Sequence, residues 1–276
     1  MRRLLNNELR RAFTSRGFAF VLGFEVIILI IYSFFELGNI VSNVVPSYIE
    51  YARAGKVNIV PGAYYSWLGM LNSITHKLLK AVIPILIAIP YGNTLFIDKE
   101  TNYISNVCIH IEKGRFYFVK LLVMFISGGV VAVLPYAVSF LIDIAVLPLE
   151  TVIPSNFSAL ANVSFMCDLY YEHTLLYVFA YLILTFLGFG LLNCLCFLAT
   201  YLFSNKYIIV IFPFFIDYFM YVIGTFINVK EVPWDYLNIC NANKQDILPA
   251  ILQFSMLIIL ITGLYTYLSS KKADIL

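Results

Sequence analysis

The sequence predicts an all-α integral membrane protein with six transmembrane helices and cytoplasmic N- and C-termini, and three observations carry that reading. Hydrophobic residues fill 61% of the 276 positions and charged residues 12%, with a mean hydropathy of +0.87, a balance outside the range of ordinary water-soluble domains. The apolar residues gather into runs of about 20 or more, the length that crosses a hydrocarbon core of about 30 Å. The basic residues gather at alternate ends of those runs.

Six windows meet the length requirement: Gly17–Leu37, Leu78–Phe96, Phe116–Leu147, Thr174–Phe203, Tyr207–Asn228 and Ile247–Leu268. Continuous apolar runs exclude the alternating pattern of a membrane barrel, and unsatisfied backbone groups in lipid leave helices as the remaining solution. The first window follows a basic stretch, as a secretory leader does, but it is long and lacks a small-x-small cleavage site, so a retained anchor is expected. The third window exceeds one crossing and contains Gly128, Gly129 and Pro135; a single kinked helix is favoured over a hairpin. No internal repeat is present, and one transmembrane domain over residues 1–276 is expected.

Orientation follows from the flanking cations. With the N-terminus inside, Arg2, Arg3, Arg10, Arg11, Arg16, Lys99, Lys113, Arg115, Lys120, Lys206, Lys271 and Lys272 lie on the cytoplasmic side, twelve of the eighteen Lys and Arg residues. That bias places both termini in the cytoplasm. The net charge of +2 then sums two opposed faces and points to anionic inner-leaflet lipid, with no basis for nucleic-acid binding.

Several kinds of chemistry find no support. Cys194 and Cys196 sit two apart on one helix and face different ways, as packing residues do; Cys167 and Cys240 fall in expected outer loops, where a pairing is the lesser expectation. His76, His110 and His173 are scattered, so no metal site is expected. No catalytic triad, carboxylate pair or nucleophile elbow is recognisable, and no Gly-x4-Gly-Lys-Ser/Thr loop exists to hold a nucleotide. The chain is not expected to be an enzyme and carries no cofactor of its own. The acceptor patterns at Asn156 and Asn162 are read as chance.

Before the first window, Leu4, Leu5, Leu9, Ala12 and Phe13 share one side of a helical wheel while Arg3, Asn7, Arg10 and Arg11 share the other. This pattern describes an amphipathic helix on the inner membrane surface. The stretch from Gly38 to Lys77, punctuated by Pro46, Gly55, Pro61 and Gly62, is expected outside, with Tyr48, Tyr51, Tyr64, Tyr65 and Trp67 at the membrane interface. After the second window, Ile104, Val107, Cys108 and Ile111 fall at i, i+3, i+4 and i+7. They form one apolar stripe on a short helix flanked by Asp98, Lys99, Glu100 and Glu112, with Gly114 as its stop. That helix faces the cytoplasm without a partner on the chain.

The same stretch resembles the permease subunits of type-2 ABC transporters. The match lies in Pro90-Tyr91-Gly92, Phe96 and Asp98-Lys99-Glu100-Thr101-Asn102-Tyr103-Ile104. It extends through Arg115, Phe118 and Lys120, then Ser127-Gly128-Gly129 and Leu134-Pro135. Asn102 replaces a common glycine and Asn93 a common acid; Asn is the residue that best imitates Gly at a left-handed position. The resemblance implies that residues Asp98, Lys99, Glu100, Thr101, Tyr103, Ile104, Val107, Cys108 and Ile111 form a coupling helix. In that family this helix docks in the cleft of a separate ABC ATPase, present in two copies, which binds ATP and Mg. It further implies a second permease, expected to be this same chain in a homodimer, in a bacterial plasma membrane. The exported molecules would be hydrophobic or amphipathic, antimicrobial peptides among them.

Within the windows, Glu25 and Asp217 are ionisable groups at apolar depth, where each costs at least ~2.5 kcal/mol on insertion scales. They are candidate pathway residues or packing residues, while Asp143 is placed at the outer boundary. An ion-coupled carrier, a membrane scaffold or an intramembrane enzyme stand as alternatives to the exporter.

Overall fold

A computed structural model of the chain describes residues 2–54, 62–72, 74–149, 167–226 and 247–270, and all regular structure among them is helical. The chain begins with α1 (Arg2–Phe13). A turn then leads to Ser15, whose hydroxyl accepts from Phe18 N–H at 3.0 Å and caps α2 (Arg16–Ile31). This satisfies one of the orphan donors at a helix start.

Gly38, expected to begin the outer stretch, and Pro46, expected to punctuate it, do not end that helix. Two π-helical stretches, Tyr32–Leu37 and Ile40–Val44, carry it into α3 (Val45–Arg53). The wider π turns free backbone donors locally, which lets Pro46 enter at the start of α3 without breaking a ladder bond. The outcome is one helix over Arg16–Tyr51.

Helices α4 (Ala63–Asn72) and α5 (Ile74–Leu86) follow. The aromatic residues assigned to an interface belt are in part core: Trp67 is fully buried and Tyr64 nearly so. Trp67 meets Phe140 and Tyr181 edge to face at 5.6 and 5.4 Å, and its Nε1 donates to Tyr136 O at 3.1 Å. An indole that is both packed and hydrogen-bonded has no reason to seek the headgroups. Asp143, near the C-terminal end of a later helix, is likewise buried. It accepts from Tyr32 Oη at 2.8 Å and from Ser66 Oγ at 3.1 Å, tying α4 and the first π turn to the helix that carries it.

The second window is not one helix. α5 stops at Leu86, residues 87–93 form turns, and α6 (Thr94–Glu100) begins anew. Pro90 has no N–H to continue a ladder, and Gly92 N–H bends back to Ala88 O at 2.7 Å. A Cβ on Gly92 would lie 2.8 Å from Cys196 Sγ, so only glycine fits there.

α7 (Tyr103–Cys108) is followed by α8 (Lys113–Val146), a single helix of 34 residues with Pro135 inside it and Gly114 in its first turn. Gly114 is therefore not a helix stop. At 1.5 Å per residue α8 is about 51 Å long, some 20 Å more than a hydrocarbon core needs. α9 (Cys167–Glu172) and α10 (Thr174–Asn193) come next. α11 (Leu195–Leu202) continues α10 after a local break at Cys194. α12 (Lys206–Phe226) and α13 (Ile247–Ser270) complete the described chain. Cys240 and the C-terminal Lys271 and Lys272 lie outside the described residues.

Gly128 and Gly129 do not interrupt α8; they let it touch α10. A Cβ on Gly128 would stand 2.5 Å from Asn193 Cβ, and one on Gly129 2.7 Å from the Phe186 ring. Small residues at such contacts bring helix backbones together where lipid offers no hydrophobic drive between helices. Asn193, fully buried, seals the contact by donating to Met124 O at 2.7 Å.

Among the described residues, three helices are long and apolar enough to cross a membrane: Arg16–Tyr51, Lys113–Val146 and Thr174–Leu202.

Candidate functional site

α1 carries Leu4, Glu8 and Ala12 one turn apart, and all three are buried. An acid in the middle of an apolar stripe needs a donor where the stripe lands. The stripe lands on the first turns of α8, where Lys120 is also fully buried. Lys120 Nζ donates to Glu8 Oε2 at 2.8 Å and also contacts Asp98 Oδ2 of α6. Arg11, one turn beyond Glu8, reaches Asp98 Oδ1 at 2.9 Å and Glu8 Oε1 at 3.1 Å. Tyr91 Oη adds a 2.6 Å bond to Glu8 Oε2.

Two acids and two bases thus form one closed network joining α1, α6 and α8 and the turn before α6. Aromatic rings roof it: Lys120 Nζ lies 5.0 Å from the Tyr91 ring centre, and the Arg11 guanidinium 5.3 Å from that of Tyr103. Burial alone pulls the Arg11 pKa down, but the hydrogen bond and charge of Asp98, with the charge of Glu8, reverse the effect and raise it. Burial and the Glu8 charge push the Tyr103 phenol up. The network sets two acids against two bases, a formal sum of zero, joined by short charge-assisted contacts.

The arrangement revises where the coupling stretch points. It is not one helix from Asp98 to Ile111 but two, α6 and α7, divided by Asn102 at φ 55°, ψ 17°. Asn102 is the only non-glycine with positive φ among the described residues, and it stands where the resemblance expects glycine. Asp98 is buried in the ion network. Ile104 is buried, and Val107, Cys108 and Ile111 pack on the same core with Phe116, Val119 and Leu4. The apolar stripe is thus spent inside the chain, since α1 and α8 offer it a larger apolar surface than solvent does. Tyr103 is half-buried beneath Arg11.

What the helix pair leaves outward is Ile97, Lys99, Glu100, Thr101, Asn102, Asn106 and Ile109, the last 76% exposed. Beside this face a cavity of about 330 Å³ opens between α6 and the end of α11, lined by Phe96, Lys99, Glu100 and Thr200 to Ser204. Lys99 Nζ lies 5.3 Å from the Tyr201 ring centre on its wall.

Lys120, counted on the cytoplasmic side by charge bias, is fully buried and paired with Glu8 and Asp98, and Arg11, its side chain 40% exposed, pairs with the same two acids from the rim. Glu8 escaped the sequence reading altogether, although its spacing with Leu4 and Ala12 is the signal that finds it. Of the two intramembrane candidates, Glu25 is 2% exposed on α2 and Asp217 is half-buried on α12. Among the described residues, no three His, Cys, Asp or Glu side chains come together as a metal site. No family model, curated protein or solved structure matches the chain.

Proposed function

We propose that this chain is the membrane-spanning permease subunit of an ATP-driven exporter of the type-2 ABC kind, working with a separate ATPase in two copies and a second copy of itself. In this reading α5 with the turns that follow it, α12 and α13 join the three long helices to make six spans in a bacterial plasma membrane, with both termini cytoplasmic. ATP and Mg are handled by the ATPase, and the cargo is a hydrophobic or amphipathic molecule.

The observation that supports this most is the pair α6–α7 and its foundation. Two short helices present Lys99, Glu100, Thr101 and Ile109 outward. Their inner side is bonded to α1 and α8 through three buried charges, Glu8, Asp98 and Lys120, and the partly exposed Arg11. A surface that must pass force from a soluble motor into membrane helices needs such a rigid root. α8 runs without a break from that root to Asp143 at the opposite end, so a push on α6 reaches the far side through one helix.

The reading is tested by placing a photocrosslinking amino acid at position 109 or 99 and isolating the adduct from the native host's membranes. The reading expects a polypeptide with a nucleotide-binding phosphate loop, crosslinked from 109 but not from buried position 104. Adducts from neither outward position, in cells where the chain is functional, would remove α6–α7 as the docking surface.

A further inference from the structure

Four carboxylates are buried among the described residues: Glu8, Glu25, Asp98 and Asp143. The chain provides donors for three. Glu8 receives Lys120, Arg11 and Tyr91; Asp98 receives Arg11 and Lys120; Asp143 receives Tyr32 and Ser66. Glu25 is the exception, and no donor reaches its buried Oε1.

Its position sharpens the contrast. Glu25 lies nine residues beyond the start of α2, about 14 Å along the axis and so near the middle of a hydrocarbon core. One turn to either side, Val21 and Ile28 belong to the main apolar core, and Glu25 shares their inward face. The opposite face of α2 shows Val26, Ile27 and Ile30, each more than half exposed. A second copy docking on that face meets these residues and not the carboxylate. What satisfies Glu25 must therefore be small enough to travel into the bundle. An uncompensated acid at this depth is costly, and a chain that gives each of the other three described buried acids at least two partners leaves this one open.

We propose that Glu25 is the counter-charge for a cationic nitrogen on the exported molecule, so that the pathway selects amphiphiles bearing a protonated amine or guanidinium. This rests on the permease reading for the direction of transport but not for binding. A charged N–H donor gives the strongest pairing available to a carboxylate in a low-dielectric interior, whereas a neutral donor needs no transported partner, as Tyr32 and Ser66 show at Asp143. The π turns that begin seven residues later, at Tyr32, supply the pliable point about which α2 turns to bring Glu25 to an entering ligand.

The test is binding of radiolabelled dodecylamine to the full chain purified in detergent micelles, in competition with dodecanol, which has the same tail and no charge. Wild type should prefer the amine by about tenfold or more. Glu25→Gln should erase the preference, Glu25→Asp should retain part of it, and Glu36→Gln, an acid on the same helix, should leave it whole. Thermal melting verifies that each variant is folded. A preference surviving Glu25→Gln, lost equally in Glu36→Gln, or absent from wild type with the carboxyl holding only its proton overturns the proposal. Because no ATPase enters the assay, amine selectivity without a docked ATPase discards the permease reading alone, and a docked ATPase without amine selectivity discards this one alone.

Discussion

Lys120 and Glu8, 112 positions apart in the chain, meet at 2.8 Å with neither side chain exposed to solvent. A buried ion pair is weak evidence of net stabilisation, because desolvation offsets much of the attraction, but breaking one by removing a single partner leaves the other charge stranded. Lys120→Met leaves two buried acids, Glu8 and Asp98, to share Arg11 as the cation that remains in the network. The expected loss is about 3–5 kcal/mol, read as a lowered denaturation midpoint in micelles. The triple change Lys120→Met, Glu8→Gln, Asp98→Asn should recover much of it. A single Lys120→Met variant as stable as wild type would show that the network does not hold α1 and α6 to the bundle.

Asn102 sets the angle between α6 and α7 from a left-handed backbone position. Asn102→Gly should leave stability and limited-proteolysis patterns unchanged, whereas Asn102→Val should cost about 1–2 kcal/mol and expose the α6–α7 junction to cleavage. Equal behaviour of the two variants would mean the bend is set by packing, not by the backbone of this residue.

These two sites show where the sequence was legible. The apolar runs of α2, α8 and α10 were plain because length and hydropathy report on lipid directly. The amphipathic stripe of α7 was equally plain, but periodicity shows which residues share a face and not what that face meets. Ile104, Val107 and Cys108 were thus assigned to an external cleft while α1 and α8 already covered them. The break at 87–93 was hidden because Pro90 and Gly92 sit inside an otherwise apolar run, and α4 because Ser66 and Trp67 look interfacial until Asp143 and Tyr136 are known to receive them. Arg11 and Lys120 were read as flanking charges and Glu8 was passed over, because a pairing such as that of Glu8 with Lys120, 112 positions apart, leaves no local pattern.

At the α8–α10 contact, Gly128→Val should prevent the close approach, since its first side-chain atom meets Asn193 Cβ at 2.5 Å. Overpacking of this kind costs about 1–3 kcal/mol or more, and size-exclusion profiles should shift from a single species to aggregate. Gly23→Ala, with open space around the added carbon, is the matched control and should be silent. A silent Gly128→Val would place the helices farther apart than described.

Cys108 offers a measurement of sidedness. Burial pushes its thiol pKa up, so the reactive thiolate is scarcer at pH 7 than for a free cysteine, and alkylation should quicken about tenfold per pH unit until the raised value is passed. In a variant retaining only Cys108, a membrane-impermeant maleimide should label inverted vesicles at pH 8.5 and spare intact cells. Labelling of intact cells would place α6–α7 outside and reverse the orientation.

The most direct test of the permease reading is ATP turnover by the complex isolated through a tag on this chain from its own host. The account predicts that an ATPase co-elutes, and that Ile109→Asp and Lys99→Glu, outward substitutions that leave the buried network intact, reduce its recovery and its cargo-stimulated turnover at least tenfold while the chain stays folded. Full recovery and stimulated turnover in both variants, or transport by the chain alone without ATP, would contradict it.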